Sequence, residues 1–215
     1  GGYHAAKLQR YQDIIDRHIS KNNQGVLNML NTKYFILQGA DGSPTVQRNP
    51  AALGNAWFVN NIIQVPDANA EIDSLTSFDP AGDAVVHAEF KDYVANLTLS
   101  KNGAITLKSY HPNKLVYESN TEGEQFAVFS EVWYGPNKGW EAYIDGKPVD
   151  HIRTNYLLRG LKIPSGKHEV IFEFRPKAYF LGETISLISS LILLGLLIFY
   201  IYTQVRQSKD SVVKA

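Results

Sequence analysis

The sequence has no cysteine among its 215 residues. This absence excludes disulfide bonds, thiolate metal sites and cysteine nucleophiles within the chain. An excess of one charge is also missing, because lysine plus arginine and aspartate plus glutamate number 21 each. Without net charge the chain has no overall field to attract a polyanion, so we expect no nucleic-acid partner.

The familiar signatures of catalysis and cofactor binding are missing as well. The sequence contains no G-x-S-x-G elbow, Walker loop or dinucleotide fingerprint. Its six histidines are scattered, without the short spacing that collects zinc ligands. We therefore assign no catalytic residue, no metal and no cofactor, and the sequence leaves open whether the chain belongs to an enzyme.

One long uncharged run is present near the C-terminus. Residues 184–205 are 22 residues without a formal charge, and at 1.5 Å per residue they reach about 33 Å, against about 30 Å for the hydrocarbon core of a bilayer. We predict a transmembrane helix over residues 181–204. The alternative is a buried core helix, which normally carries a polar stripe. Aromatic residues flank the run, as is typical of membrane interfaces: Tyr179, Phe180, Tyr200 and Tyr202.

The short segment after this helix predicts its orientation. Residues 205–215 carry Arg206, Lys209 and Lys214, and short basic segments tend to stay in the cytoplasm. We expect a cytoplasmic tail, a helix in the cytoplasmic membrane and an extracytoplasmic globular part, with the lipid bilayer as a partner. The chain opens Gly-Gly-Tyr-His with no methionine or signal peptide, so we also expect it to be a fragment of a longer protein.

The part before the membrane helix reads as α+β. Residues 1–82 predict an amphipathic helix from Tyr3 to Ile19, a short helix, two strand-like runs and a helix capped by Asp67. Residues 83–177 alternate with period two and have turn signals about every ten residues, which predicts an antiparallel β-sandwich of jelly-roll or immunoglobulin-like type. Two predicted hairpins turn at Asn102-Gly103 and Asp145-Gly146. In the last strand, one face is predicted to be core: Val170, Phe172 and Phe174.

Aromatic and arginine residues gather on neighbouring predicted turns. Flat rings stack on sugar faces, while arginine and asparagine bond to hydroxyl or phosphate groups, so the cluster predicts a saccharide or lipid-headgroup site. The same rings could instead seal one end of the sandwich, with the arginines bonding to loop carbonyls. The residues of this predicted site are Trp133, Tyr134, Trp140, Arg153, Asn155 and Arg159.

Several segments occur in an order that resembles one family. They are Gly2–Tyr11, Leu27–Tyr34, Gly54–Val59, Phe126–Tyr134, Gly139–Lys147, Asn155–Gly160 and Ile163–His168. Together they resemble the YfhO family over nearly the whole chain. The resemblance implies a large polytopic bacterial membrane protein that ends in an extracytoplasmic domain and a last membrane helix.

The resemblance also implies a class of activity. YfhO-like proteins are similar to polytopic glycosyltransferases, which use lipid-linked sugar donors to decorate cell-envelope polymers such as teichoic acid. The catalytic acid of such enzymes belongs to an early extracytoplasmic loop, and nothing before Gly1 is present here, so no catalytic residue is carried over. The partners implied are a saccharide or lipid-linked sugar and the upstream transmembrane region of the same protein.

Two functions are therefore expected as alternatives. The domain either helps a membrane glycosyltransferase to bind its donor or acceptor, or it is a non-catalytic scaffold or carbohydrate-binding module that assembles envelope machinery. A cleft lined by Trp133, Trp140 and Arg153 favours the first function. A flat, exposed apolar patch favours the second, because such patches mark partner sites.

Overall fold

A computed structural model of the chain describes residues 8–100, 102–135 and 138–213. The chain divides into two compact units, with the division between Phe174 and Arg175. The first unit holds every strand found among the described residues, and the second is one long helix. The protein is thus α+β with a C-terminal apolar helix, as the sequence predicts.

The helices of the first unit are short. The cap predicted for the third one is confirmed, because Asp67 Oδ1 accepts the amides of Asn69 and Ala70 at 2.9 Å each. The predicted start of the first helix at Tyr3 lies outside the described residues. The helices are α1 (Gln9–Arg17), α2 (Gln24–Met29), α3 (Ala68–Ser74) and α4 (Lys91–Val94), with 3₁₀ turns at Ile19–Lys21 and Ala88–Phe90.

The strands form two larger sheets and two small ones. They are β1 (Tyr34–Gln38), β2 (Pro44–Arg48), β3 (Ala56–Phe58), β4 (Asn61–Val65), β5 (Asp83–His87), β6 (Gly103–His111), β7 (Lys114–Thr121), β8 (Gln125–Val132), β9 (Trp140–Ile144), β10 (Lys147–Val149), β11 (Ile152–Thr154), β12 (Leu158–Ile163) and β13 (Gly166–Phe174). A five-stranded sheet has the order β10-β9-β13-β7-β6, and a four-stranded sheet has the order β11-β12-β8-β3. Both are antiparallel. The strands β1 and β2 pair as a separate hairpin, and β4 and β5 form a parallel pair whose crossover contains α3.

The two larger sheets face each other across one apolar cluster, which gives the sandwich arrangement. Tyr117 and Phe172 from the five-stranded sheet meet Phe129 from the four-stranded sheet, with ring centroids 4.8 to 6.2 Å apart in edge-to-face contacts. Residues of β12 complete the cluster, since Leu161 and Ile163 are fully buried. This cluster is the core of the sandwich.

The other face of the four-stranded sheet covers a second core. Phe126 and Val128 of β8 point into it, because side chains alternate along a strand. Ile14 of α1 and Met29 of α2 are fully buried in the same cluster, together with residues of β4 and β5. Strand β8 is thus packed on both faces. The division of the globular part at residue 82 stays a prediction.

The two predicted hairpin turns have different outcomes. Asp145-Gly146 is confirmed: β9 and β10 pair directly on either side of it, and both residues have positive φ, at 50° and 75°. The prediction for Asn102-Gly103 is wrong, because Gly103 begins β6 and residues 97–100 are not a strand. A Cβ on Gly103 would lie 2.9 Å from the Cβ of Thr121, so this glycine serves close packing and not a turn.

The predicted core face of β13 is confirmed for two residues of the three. Val170 and Phe172 are fully buried, whereas Phe174 is 36% exposed. The reason is that Phe174 ends the strand and packs its ring against Trp140 at 5.5 Å, at the rim of the sheet. The core face of β13 therefore ends at Phe172, two residues before the end of the strand.

The long C-terminal helix, α5 (Lys177–Val213), contains one candidate membrane span. The segment Lys177–Gln204 has 28 residues and contains an 18-residue window with a mean hydropathy of 2.4, none of which is buried. A core helix would bury its apolar side chains, so the membrane interpretation is favoured over the alternative. The predicted span at 181–204 lies inside this segment, and the orientation of the helix stays a prediction.

Candidate functional site

The structure places the six predicted site residues in two groups. Trp133 and Arg153 form one pair, with the guanidinium 5.5 Å from the indole centroid. Trp140 and Arg159 form the other, at 4.1 Å. Both are cation–π contacts. Trp140 lines one cavity, and Trp133 and Arg153 line another, so these residues do not share the expected cleft and form two separate aromatic and arginine pairs.

Arg159 lies on the face of β12 that points into the sandwich, because it alternates with Leu161 and Ile163, which are in that core. The pairing of β12 with β8 shifts register beside it, between Leu158 and Arg159. The Arg159 side chain is buried, its Nε donates to the Val132 carbonyl at 3.0 Å, and its Nη1 has no hydrogen-bond partner among the described residues. Burial lowers the pKa of Arg159 to about 10, although the nearby Glu131 opposes the shift. Arg159 is therefore still charged at neutral pH.

The Trp140 ring has two neighbours that hold it in place. One is the buried Arg159 guanidinium, and the other is the Phe174 ring, whose centroid is 5.5 Å away. Two contacts fix the indole, while Trp140 itself keeps part of its surface exposed. An indole that is held in place loses little conformational entropy when a ligand stacks on it.

Trp140 lines a cavity with a volume of about 490 Å³. Ligand pockets commonly have volumes of about 300 to 1,000 Å³. The cavity lies where the β9–β10 hairpin continues into β11, because its lining comes from β9, from β10 and from the residues just before β11. We call it the Trp140 cavity. It is lined by Trp140, Glu141, Ala142, Pro148, Val149, Asp150 and His151.

His151 connects this cavity to the other aromatic pair. Its backbone carbonyl accepts the indole N–H of Trp133 at 3.4 Å, and its Nε2 lies 3.4 Å from the Trp140 carbonyl. Burial lowers the pKa of His151, so the ring is neutral at physiological pH. Sequence reasoning missed this residue because a lone histidine has no pattern. Its only signal was its place between two predicted turns.

The Trp133 pair belongs to a buried ionic cluster. Arg153 Nη2 lies 2.5 Å from Glu89 and 3.5 Å from Glu71, and Arg10 Nη1 lies 3.4 Å from Glu71. Glu71 has no exposed surface, and burial raises its pKa more than the two guanidinium groups lower it. The adjoining cavity measures about 160 Å³, which is small for a ligand. Through these ion pairs, the cluster connects α1 and α3 to Arg153 of β11.

The remaining two predicted residues differ in exposure. Asn155 is fully buried and has a φ of 50°, and its Oδ1 accepts the Val85 amide at 2.8 Å. It fixes the β11–β12 turn and does not reach solvent. Tyr134 is 37% exposed and is the second residue after the end of β8. Whether any of the six residues binds a ligand stays a prediction.

The charges of the Trp140 cavity favour one kind of ligand. The acidic residue Asp150 is part of its lining, and carboxylate oxygens accept hydrogen bonds from hydroxyl groups but repel phosphate. The Glu141 carboxylate accepts the Tyr143 hydroxyl instead, at 2.6 Å. Among the described residues, no group of three or more His, Asp or Glu side chains is placed to hold a metal ion. An indole beside hydroxyl acceptors suits an uncharged sugar.

The comparisons with known proteins give one match. Residues 82–186 match the family model described as bacterial membrane protein YfhO. The matched segment begins just before β5, includes the Trp140 cavity and ends in α5. No curated protein and no solved structure matches the chain.

Proposed function

Because residues 82–186 match the family model of bacterial membrane protein YfhO and the chain has a C-terminal apolar helix, we propose that its globular part is an extracytoplasmic sugar-binding domain. In this proposal it belongs to a polytopic glycosyltransferase that takes sugar from a lipid-linked donor and acts on a cell-envelope polymer. The domain holds the sugar part of the donor or of the acceptor, and the chemistry takes place in the upstream part of the protein.

A single observation carries the proposal: the Trp140 ring is in contact with the buried Arg159 and lines a cavity of about 490 Å³ beside the acidic residue Asp150. A pyranose ring stacks on the indole through its C–H face, and its hydroxyls donate to Asp150. One aromatic contact and a few hydrogen bonds each contribute about 1 kcal/mol. The expected dissociation constant is therefore in the millimolar to micromolar range.

The test is a binding titration of the full chain in nanodiscs. Neutral hexose oligosaccharides, a free sugar phosphate and a polyprenyl-phosphate hexose are added in turn, and tryptophan fluorescence is recorded. We expect the neutral oligosaccharides and the lipid-linked hexose to bind, and the free sugar phosphate to bind more weakly. Asp150→Asn removes one cavity carboxylate at an exposed position and should weaken binding several-fold with unchanged melting.

Matched tryptophan variants locate the site. Trp140→Ala should abolish binding, whereas Trp133→Ala should retain it, because Trp133 does not line the Trp140 cavity. Loss of binding in Trp133→Ala with unchanged melting would move the site to the Arg153 cluster. Absence of binding by any saccharide to the folded wild-type chain would remove the proposal.

One observation favours the scaffold alternative. The β1–β2 hairpin exposes apolar side chains, with Ile36 76% and Val46 67% exposed. Such a patch is typical of a contact surface. A scaffold would bind a protein partner there and leave the Trp140 cavity without a saccharide, so the titration above separates the two functions.

A further inference from the structure

The β1–β2 hairpin is unusual in having almost no protein against it. Every residue of β2 is exposed, and so is every residue of β1 except Phe35. The hairpin forms its own two-stranded sheet, and among the described residues no third strand joins it. An isolated two-stranded hairpin is marginally stable in water. We therefore expect the hairpin to be stabilised by contact with a surface outside the globular unit.

The exposed apolar side chains lie mainly on one face. Ile36 pairs directly with Val46, and Tyr34 pairs with Arg48, so these four side chains share a face of the ribbon. Tyr34 is 60% exposed. Lys33, immediately before β1, is also exposed. We call the surface formed by Tyr34, Ile36, Val46 and Arg48 the hairpin face.

The residue types of the hairpin face indicate which surface it contacts. Aliphatic side chains next to a tyrosine, with cations at the base, match the apolar and anionic layers at the surface of a bilayer. We propose that the hairpin face is a second membrane contact of this protein, which lies on the headgroup region of the bilayer that holds α5. The cations Lys33 and Arg48 select anionic lipid.

The chain itself keeps a bilayer within reach of the globular unit. Strand β13 ends at Phe174 and the apolar segment begins at Lys177, so two residues connect them. Two residues span at most about 7 Å. A surface that is tethered this closely meets the membrane at a high effective concentration, so weak contacts suffice to hold it there.

The tip of the hairpin sets the depth of the contact. Asp41 accepts both the Ser43 amide, at 3.0 Å, and the Ser43 hydroxyl, at 2.6 Å. A carboxylate at the tip prevents insertion tip-first, and the unpaired outer edges of the ribbon need water or headgroups as hydrogen-bond partners. The hairpin therefore lies flat at headgroup depth and does not enter the hydrocarbon core.

The absence of cysteine makes a clean test possible. Val46→Cys and Gln47→Cys are prepared in the full chain, labelled with an environment-sensitive fluorophore and placed in nanodiscs. Residue 46 points to the hairpin face and residue 47, its neighbour, to the opposite face. Ile36→Cys gives the same reading from the other strand. Quenching by headgroup-level spin-labelled lipid is compared with quenching by aqueous iodide.

We expect labels at 36 and 46 to be quenched by the lipid and protected from iodide, and the label at 47 to show the reverse. Anionic discs should strengthen the lipid quenching over zwitterionic discs, and Arg48→Gln should reduce that gain by about fivefold. Equal iodide quenching at 46 and 47 would overturn the proposal. So would protection at 46 without lipid quenching. In that case, discs that hold a single chain distinguish the remaining occupants. Loss of protection from iodide in these discs would mean that a second copy covers the hairpin face, and continued protection would mean that another protein surface covers it.

Discussion

Glu71 and Arg153 form an ion pair in the interior, with 3.5 Å between Oε2 and Nη2 and side chains that are 0% and 7% exposed. Glu71 Oε1 also accepts the amide of Tyr156 at 3.0 Å. Tyr156 has a φ of 67°, which is uncommon for a bulky residue. One carboxylate thus stabilises a buried cation and a strained turn together.

Removing this carboxylate should be costly. We expect Glu71→Ala to lower the free energy of unfolding by about 3 kcal/mol, because a buried guanidinium loses a partner. Glu71→Gln should cost less, because it keeps an acceptor for the Tyr156 amide and burial already disfavours the charge. Urea unfolding in nanodiscs, followed by tryptophan fluorescence, measures both. Glu118→Ala, at a surface pair with exposed lysines, is the control and should change stability by less than about 1 kcal/mol.

A surface pair should give stability a defined pH dependence. His168 Nδ1 lies 2.7 Å from Asp145 Oδ2. The hydrogen bond to Asp145 raises the pKa of His168, so its contribution is complete below the ordinary value of 6.5 and is lost as pH rises through the raised value. The same hydrogen bond lowers the pKa of Asp145, so that contribution is present above 3.8 and is lost as pH falls through the lowered value.

The pair should therefore stabilise most between about pH 4 and 6.5. We expect the difference in unfolding free energy between wild type and Asp145→Asn to be larger at pH 5.5 than at pH 8.5. The variant keeps the turn, since Asn-Gly also adopts this conformation. A difference that is independent of pH across this interval would show that the pair does not form in solution.

Gly160 is required by the packing between the two cores. A Cβ at this position would lie 2.3 Å from Cζ of Phe126 and 3.2 Å from Thr154. We expect Gly160→Ala to destabilise the protein by about 1 to 3 kcal/mol through overpacking. Gly25→Ala in α2 meets nothing closer than 3.4 Å and should be neutral or stabilising by up to about 1 kcal/mol. Equal melting temperatures of the two variants would contradict the packing argument.

The globular unit should fold without the membrane helix. All strands among the described residues end by Phe174, and the apolar segment contributes no buried side chain. We expect a chain truncated before Leu181 to be soluble and to melt cooperatively, as measured by circular dichroism. Aggregation with no melting transition would mean that α5 completes the core.

The sequence contained enough information to predict the elements and the membrane helix, but not the arrangement of the strands. Asp145-Gly146 could be recognised in the sequence because the Asp-Gly dipeptide is typical of hairpin turns in which both central residues have positive φ. Gly103 looked the same in the sequence, yet its partner in space is Thr121, in another strand. A local pattern cannot tell a glycine needed for a turn from one needed for close packing.

The candidate site was predictable in composition and not in geometry. Trp140 and Arg159 were both singled out, but they come together only because the five-stranded sheet that holds Trp140 faces the four-stranded sheet that holds Arg159. Glu71 is 82 residues from its partner Arg153, so no spacing rule connects them. His151 could not be recognised as a site residue from the sequence, because its contacts are with Trp133 and Trp140, which lie 18 and 11 residues away.

Strand β8 contributes to both cores, and this has a consequence for the order of events during synthesis. Ile14 and Met29 pack in a cluster that also needs Phe126 and Leu158. The ribosome makes the chain from its N-terminus, so the first helices emerge long before the residues that bury them. Their apolar side chains stay exposed until Leu158 has been made. The helix α5 begins only 19 residues later, at Lys177. Folding of the globular unit and insertion of its anchor are therefore nearly simultaneous steps.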